Sequence, residues 1–198
     1  MAKRTALKDR GIMPALVLFV ICLLATTCLA MTYELTAERR ARLEQEALMA
    51  NKQILFSTAD EFKPVDYQAL PSGHELELFE AAYANGELQG YLIQASVKGY
   101  GKLVPVLSAF DPEGQLLAIL VGDNDETAGL GKRIEEDEFR AQFSEQSAFN
   151  YYYAKAQKNA NPELEPLQID AISGATISSE AVCEAVNIAA EAFRSLED

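Results

Sequence analysis

Four small residues, Ser173-Gly174-Ala175-Thr176, lie near the C-terminal end of the chain, directly before a stretch with helical spacing. The first backbone N–H groups of a helix have no partner within it, and its dipole is positive there, so a phosphate would be well placed. The alternative is structural, because Ser and Thr cap helices and Gly-Ala fills tight turns. A capping box would need Glu or Gln three residues after Thr176, where the chain has Ser179.

A second candidate segment is GDNDETAGLGKR, residues 122–133, which contains Gly129 and Gly131. Two glycines two positions apart allow the backbone to approach a flat or phosphorylated ligand closely. The segment is not a nucleotide fingerprint, because G-x-G-x-x-G would require glycine at Ile134. A simple glycine turn between a strand and a helix is the alternative.

Few other side chains could do chemistry. His74 is the only histidine and is expected in a surface loop, and Cys183 is the only cysteine outside the N-terminal apolar run. One cysteine forms no internal disulfide and holds no iron–sulfur cluster. So few soft ligands disfavour zinc and haem, and a Ser-His-Asp triad has one candidate base. We therefore expect no metal site and no catalytic residue.

The charge distribution excludes one class of partner. The chain has 198 residues, of which 49% are hydrophobic and 24% charged, as in globular proteins, and its net charge is −13. The basic side chains Lys3, Arg4, Lys8 and Arg10 precede the apolar run, so the acidic excess falls on the remainder. Such a surface repels phosphates, which argues against nucleic-acid binding.

An apolar run from Gly11 to Thr32 contains no charged side chain. About 20 apolar residues in helical form cross a bilayer, so we predict a transmembrane helix over residues 12–32. A cleavable signal peptide is the alternative, since Cys28-Leu29-Ala30 loosely resembles a cleavage site, but its apolar region is only about 7–15 residues. The basic residues 1–11 stay in the cytoplasm, which places the rest on the extracytoplasmic side.

The remaining chain predicts an α+β domain. Residues 33–73 are expected to form a helical stalk and a polar connector, and residues 74–198 the domain. Asn85-Gly86 and the Asp111–Gly114 segment each separate two apolar runs, which predicts two hairpins and a four-stranded antiparallel meander. A short helix over 133–146, a strand over 150–156 and a final helix beginning near Ser178 or Ser179 follow.

These motifs together resemble a known family. The pattern Asp170-x-x-Ser173-Gly174-Ala175-Thr176-x-Ser178-Ser179 resembles the flavinylation motif of the FMN-binding domain family. That family includes the G subunit of the Rnf electron-transport complex and the C subunit of the sodium-pumping NADH:quinone reductase. Gly99-Tyr100-Gly101, the Asp111–Gly114 turn and Glu126-Thr127-x-Gly129-Leu130-Gly131 resemble family landmarks in the same order. The chain departs from the family where Ala128 replaces the usual proline.

The resemblance implies a cofactor and the residues that hold it. Thr176 would carry FMN through a phosphoester that a dedicated flavin transferase makes from FAD. Small neighbours would let that enzyme reach the hydroxyl. The residues implied near the flavin are Glu126, Thr127, Gly129, Leu130 and Gly131, and those implied around its phosphate end are Ser173, Gly174 and Ala175. Tyr151, Tyr152 and Tyr153 are candidates for ring stacking, with core packing as the alternative.

The implied role is electron transfer. As part of an Rnf-type complex in the bacterial inner membrane, the chain would relay electrons between ferredoxin and NAD, coupled to ion movement. It would not be a complete enzyme alone, because its one predicted membrane helix holds no carboxylate, so an ion path must come from other membrane subunits. The alternatives are the analogous quinone-reductase subunit, a free-standing flavin carrier, and a non-redox membrane-tethered binding domain.

Overall fold

The computed structural model describes residues 5–67, 69–154 and 164–196. The chain divides into two compact units, Met1–Ala50 and Asn51–Asp198. Lys3 and Arg4, on which the predicted orientation in the membrane partly rests, lie outside the described residues. The domain boundaries expected from the sequence stay predictions.

The first unit consists of most of one long helix, α1 (Thr5–Leu55), whose last residues belong to the second unit. It contains an 18-residue window with a mean hydropathy of 2.5, which is long and apolar enough to cross a membrane. The Thr26 and Thr27 hydroxyls donate hydrogen bonds to the carbonyls of Cys22 and Leu23, at 2.5 and 2.7 Å. The helix therefore satisfies these polar groups internally, as an apolar surrounding requires.

The second unit is built on a six-stranded antiparallel sheet whose strands follow one another in sequence order. The strands are β1 (Glu61–Pro64), β2 (Leu78–Ala84), β3 (Glu87–Lys98), β4 (Leu103–Phe110), β5 (Gln115–Val121) and β6 (Gln146–Ser147). The expected four-stranded meander is β2 to β5. The expectation of an irregular connector is wrong for β1, a polar edge strand held by backbone pairing to β2.

Both predicted hairpin turns are present, and both use left-handed backbone. Asn85 and Gly86 have φ of 52° and 83° between β2 and β3. Between β4 and β5, Gly114 has φ 86°, and a Cβ there would lie 2.8 Å from the Phe193 ring. Asp111 Oδ1 accepts the Gln115 N–H at 2.7 Å and fastens this second turn.

The segment after β5 differs from its prediction. One amphipathic helix was expected over 133–146, but the chain forms a 3-10 turn (Gly131–Glu135), a short helix α2 (Asp137–Arg140) and a second 3-10 turn (Ala141–Phe143). The expected strand is β7 (Asn150–Tyr153), and residues 155 and 156 of that prediction lie outside the described residues. β7 pairs in parallel with β8 (Glu165–Gln168), which the sequence did not predict.

Helix α3 (Thr176–Arg194) covers the sheet and begins two residues earlier than expected. The prediction was wrong because Ser178 and Ser179 were interpreted as capping residues, whereas both are buried and their hydroxyls bond to other groups. The alanine-rich buried face of α3 contacts β3 and β4. Small side chains allow this close approach, and Phe193 closes the far end with its ring 5.4 Å from that of Phe110.

The end of α1 is held in the second unit by a buried ion pair. Lys52 is 4% exposed, and its Nζ lies 2.5 Å from Glu80 Oε2 on β2. Nearby, Phe56 packs against Gly90, where a Cβ would lie 2.8 Å from the Phe56 ring. Removal of one partner from such a pair leaves a charge without compensation in a poorly solvated place.

We expect Lys52→Ala to lower the free energy of unfolding of this unit by about 3 kcal/mol. The measurement is urea unfolding of the detergent-solubilised full chain, followed by the near-ultraviolet circular dichroism of its tyrosines. Lys102→Ala is the matched control, since Lys102 forms an exposed ion pair with Asp125 and its loss should not be measurable. Equal transitions for the two variants would contradict the assignment.

Candidate functional site

The small-residue segment folds as a turn fastened to the first turn of α3. The Ala175 N–H donates to the Ile172 carbonyl at 2.9 Å, and Gly174 adopts φ 78° within that turn. Ser179 is fully buried, and its Oγ accepts the Ile172 N–H at 3.0 Å and donates to the Ala175 carbonyl at 3.1 Å. One hydroxyl thus fixes both ends of the turn.

Thr176 is the first residue of α3, and its side chain is half-buried. The N-cap is Ala175, with φ −133° and ψ 39°, and no side chain caps the helix. Within the described ranges, neither the Thr176 hydroxyl nor that of the exposed Ser173 forms a hydrogen bond. The helix-cap alternative for these two hydroxyls is therefore wrong, and Thr176 Oγ is left available.

Thr176 lies on the wall of a cavity of about 570 Å³, a size typical of small-molecule sites. The cavity brings together most of the residues predicted from the sequence: Glu126, Thr127, Leu130, Gly131, Gly174, Ala175 and Thr176. Ser173 and Gly129 belong to the same two loops but do not line it. Tyr100, Ile177 and Ser178 line it and were not predicted, although each lies inside or directly beside a quoted motif.

Glu126 is the polar centre of the wall. Its side chain is 4% exposed, Oε1 accepts the Gly101 N–H at 2.8 Å, and Oε2 accepts the Ser178 hydroxyl. Its own N–H donates to Asn124 Oδ1 at 3.1 Å. The carboxylate therefore connects the β3–β4 loop, the loop after β5 and the first turn of α3.

Glycines make room for this carboxylate. A Cβ at Gly99 would lie 2.6 Å from Glu126 Oε1, and one at Gly131 would lie 2.8 Å from Oε2. Real Cβ atoms do not come so close, so any side chain at these positions would displace the carboxylate. Gly131 was predicted to allow approach of a ligand, and the structure adds the packing of Glu126 as a second reason.

The mouth of the cavity is apolar. Tyr100, Leu130 and Ile177 are 71%, 45% and 52% exposed, although each is a large hydrophobic side chain. They come from three separate segments and meet at the same cavity. Exposed apolar groups that converge in this way commonly mark a binding site. The cavity thus offers a polar inner wall near Thr176 and an apolar rim suited to a flat ring.

The FMN-binding domain family matches residues 99–191, the region that holds both cavity-forming loops and α3. A Methanosarcina acetivorans protein, the G subunit of an ion-translocating oxidoreductase complex, is 31% identical over 87% of this chain and 88% of its own. The chain belongs to the FMN-binding domain family. A Clostridium ljungdahlii relative, the G subunit of a proton-translocating ferredoxin:NAD(+) oxidoreductase complex, is 28% identical over 88% of this chain and 86% of its own.

A solved structure confirms the fold of this FMN-binding domain protein. The crystal structure of Shewanella oneidensis NqrC superposes with a TM-score of 0.54 at 16% identity, over 80% of this chain and 96% of that one. The α+β class with an antiparallel sheet, expected from the hairpin signals, is therefore correct.

The three consecutive tyrosines line a different cavity. Tyr151, Tyr152 and Tyr153 contribute to a cavity of about 840 Å³ that does not contain Thr176. Tyr152 is buried in the core, its ring 5.7 Å from that of Phe143, and its hydroxyl donates to the Ser147 carbonyl at 2.9 Å. Core packing, the alternative to ring stacking, accounts for Tyr152.

The remaining candidate ligands are inert in the structure. His74 is exposed, as expected for a loop residue. Cys183 is buried in α3, and burial raises the pKa of its thiol to about 12, so it is protonated and unreactive at neutral pH. Among the described residues, no group of three or more His, Cys, Asp and Glu side chains could hold a metal ion.

We expect Ser179→Ala to loosen the turn before Thr176, because the Ile172 N–H loses its only acceptor among the described residues. An unsatisfied buried donor costs about 1–3 kcal/mol, so amide exchange there should accelerate at least about fivefold. The measurement is hydrogen–deuterium exchange of peptides that cover residues 170–178. Ser173→Ala is the control, since Ser173 is exposed and bonds to nothing described. Unchanged exchange in Ser179→Ala would exclude this role.

Proposed function

We propose that this protein is the flavin-carrying subunit of an Rnf-type ion-translocating ferredoxin:NAD oxidoreductase complex, with FMN joined to Thr176 by a phosphoester. One observation carries the proposal. The Thr176 hydroxyl has no hydrogen bond within the described residues and lies at the start of a 19-residue helix, on the wall of a ligand-sized cavity. The names of the G-subunit relatives support the choice of this complex over the quinone reductase.

The residues present fit FMN. The unpaired N–H groups of the first turn of α3 and its dipole favour a phosphate at Thr176. Gly174 and Ala175 leave space beside it, and Ser173 lies on the exposed side of the same turn. Leu130, Ile177 and Tyr100 offer an apolar surface of the kind that an isoalloxazine ring covers. Thr127 and Gly131 complete the wall, and Gly129 with φ 75° shapes the loop that carries Leu130.

Attachment requires one reaction at Thr176. Thr176 Oγ forms a bond to the phosphorus of the FMN half of FAD, the phosphoanhydride bond to AMP breaks, and AMP leaves. The hydroxyl proton passes to a base of the flavin transferase. The half-buried position of Thr176 and the small side chains before it give the transferase access to the hydroxyl.

The bound FMN supplies the redox chemistry by accepting and giving electrons. The protein positions it, keeps water from part of the ring through the apolar rim, and presents it to partner subunits. The apolar stretch of α1 anchors the chain in the bacterial inner membrane, with the basic N-terminus in the cytoplasm and the residues after the stretch outside. No carboxylate lies between Gly11 and Thr32, so other membrane subunits provide the ion path.

We expect Thr176→Ala to abolish covalent flavin, because the acceptor oxygen is gone. The measurement is ultraviolet fluorescence of the band on a denaturing gel after co-expression of the exported full chain with a flavin transferase. Ser173→Ala is the control and should remain fluorescent, because its hydroxyl is a neighbour and not the acceptor. A fluorescent Thr176→Ala band would refute attachment at this residue, and a dark wild type beside a labelled control protein would refute covalent flavin altogether.

We further expect Tyr100→Leu to raise the flavin fluorescence of the native protein, because a tyrosine ring in contact with a flavin quenches its emission. The emission is normalised to the covalent flavin measured on the denaturing gel. Tyr153→Leu is the matched control and should leave emission unchanged, since Tyr153 lines the other cavity. The opposite result for the two variants would place the ring in the 840 Å³ cavity instead.

A further inference from the structure

A buried carboxylate without a cationic partner lies in the wall of the Thr176 cavity. Glu126 is 4% exposed, and within the described part of the chain it forms no ion pair. Its two oxygens accept hydrogen bonds from the Gly101 N–H, at 2.8 Å, and from the Ser178 hydroxyl. Both donors are neutral and both oxygens act only as acceptors, which is the arrangement of an ionised carboxylate.

The basic side chains nearest in sequence to the site are engaged elsewhere. On the β3–β4 loop, Lys102 Nζ pairs with Asp125 Oδ2 at 2.6 Å. On the 3-10 turn, Lys132 Nζ pairs with Glu135 Oε1 at 3.3 Å. Each cation is thus matched by another acid, and Asp123 adds further negative charge to the same loop. The positive end of the α3 dipole is the remaining compensation, and it carries only about half a unit charge.

We propose that Glu126 holds a fixed negative charge beside the flavin and thereby lowers its redox potential. This inference rests on the proposed function. Reduction adds electrons to the flavin, and a nearby negative charge opposes that addition. Because Glu126 is buried, its field is screened much less by water and salt than that of a surface acid. The charge acts on electrons that a ferredoxin-linked reaction supplies, so it tunes the carrier and takes no part in a bond.

Glu126 is also a positioning residue, and the two roles make different predictions. It fastens Ser178, two residues after Thr176, to the loop that carries Thr127 and Leu130. Glu126→Asp keeps the charge and shortens the side chain, whereas Glu126→Gln removes the charge and keeps the shape. A purely structural role would affect Asp at least as much as Gln, while a role of charge affects Gln alone.

The experiment is a reductive titration of the flavin-loaded, detergent-solubilised full chain with dithionite and redox dyes, followed by flavin absorbance. Glu126→Gln should shift the midpoint potential upward, and Glu126→Asp should stay close to the wild type. Glu138→Gln is the matched control: it removes the same charge from an exposed position outside the cavity and should not shift the potential. Equal potentials for Glu126→Gln and the wild type, or equal shifts for the Gln and Asp variants, would overturn the inference.

Two further readouts keep the result unambiguous. Gel fluorescence of every variant is measured first, and a dark wild-type band overturns the proposed function and this inference with it. Labelled bands with unchanged potentials overturn the inference alone. If Glu126→Gln does not fold, Thr127→Lys places a positive charge on the same wall at an exposed position. It should raise the potential while Thr127→Gln does not, and an unchanged potential in Thr127→Lys would again overturn the inference.

Discussion

The site depends on the pair of hydrogen bonds that Glu126 accepts. Through them, one carboxylate connects a loop near residue 101, a loop near residue 126 and the first turn of a helix near residue 178. These segments are distant in sequence, and a buried acid requires its hydrogen-bond partners to be in place together. The cost of burying the carboxylate therefore enforces the geometry that brings Thr176 to the cavity.

The sheet and α3 make that arrangement possible. Alanines on the buried face of α3 let the helix approach β3 and β4 closely, which places its N-terminus beside the loops at the strand ends. The glycines at 99 and 131 then leave the space that the carboxylate fills. Small residues thus serve different ends along the chain: close packing in the helix, room for a charge in the loops, and access to a hydroxyl before Thr176.

The sequence predicted features set by local chemistry. Asn85-Gly86 and Gly114 indicate their turns because the backbone conformations there favour those residues. It did not predict β1 and β8, since both are short and their pairing is with distant backbone. The start of α3 was placed too late because serine is ambiguous: the same hydroxyl that caps a helix can bond to a buried carboxylate 52 residues away in the chain. Tyr100 and Ile177 were missed because only the tertiary fold brings their exposed faces to one rim.

A negatively charged wall disfavours reversible binding of an anionic cofactor such as FMN, so the cavity is poorly suited to retain FMN by affinity alone. The proposed phosphoester removes that difficulty, because retention then no longer depends on the contacts that the ring and phosphate make. The cavity wall is free to carry a charge that raises the energy of the reduced flavin. On this argument the small residues around Thr176 and the buried Glu126 belong together: attachment at the first allows the electrostatics of the second.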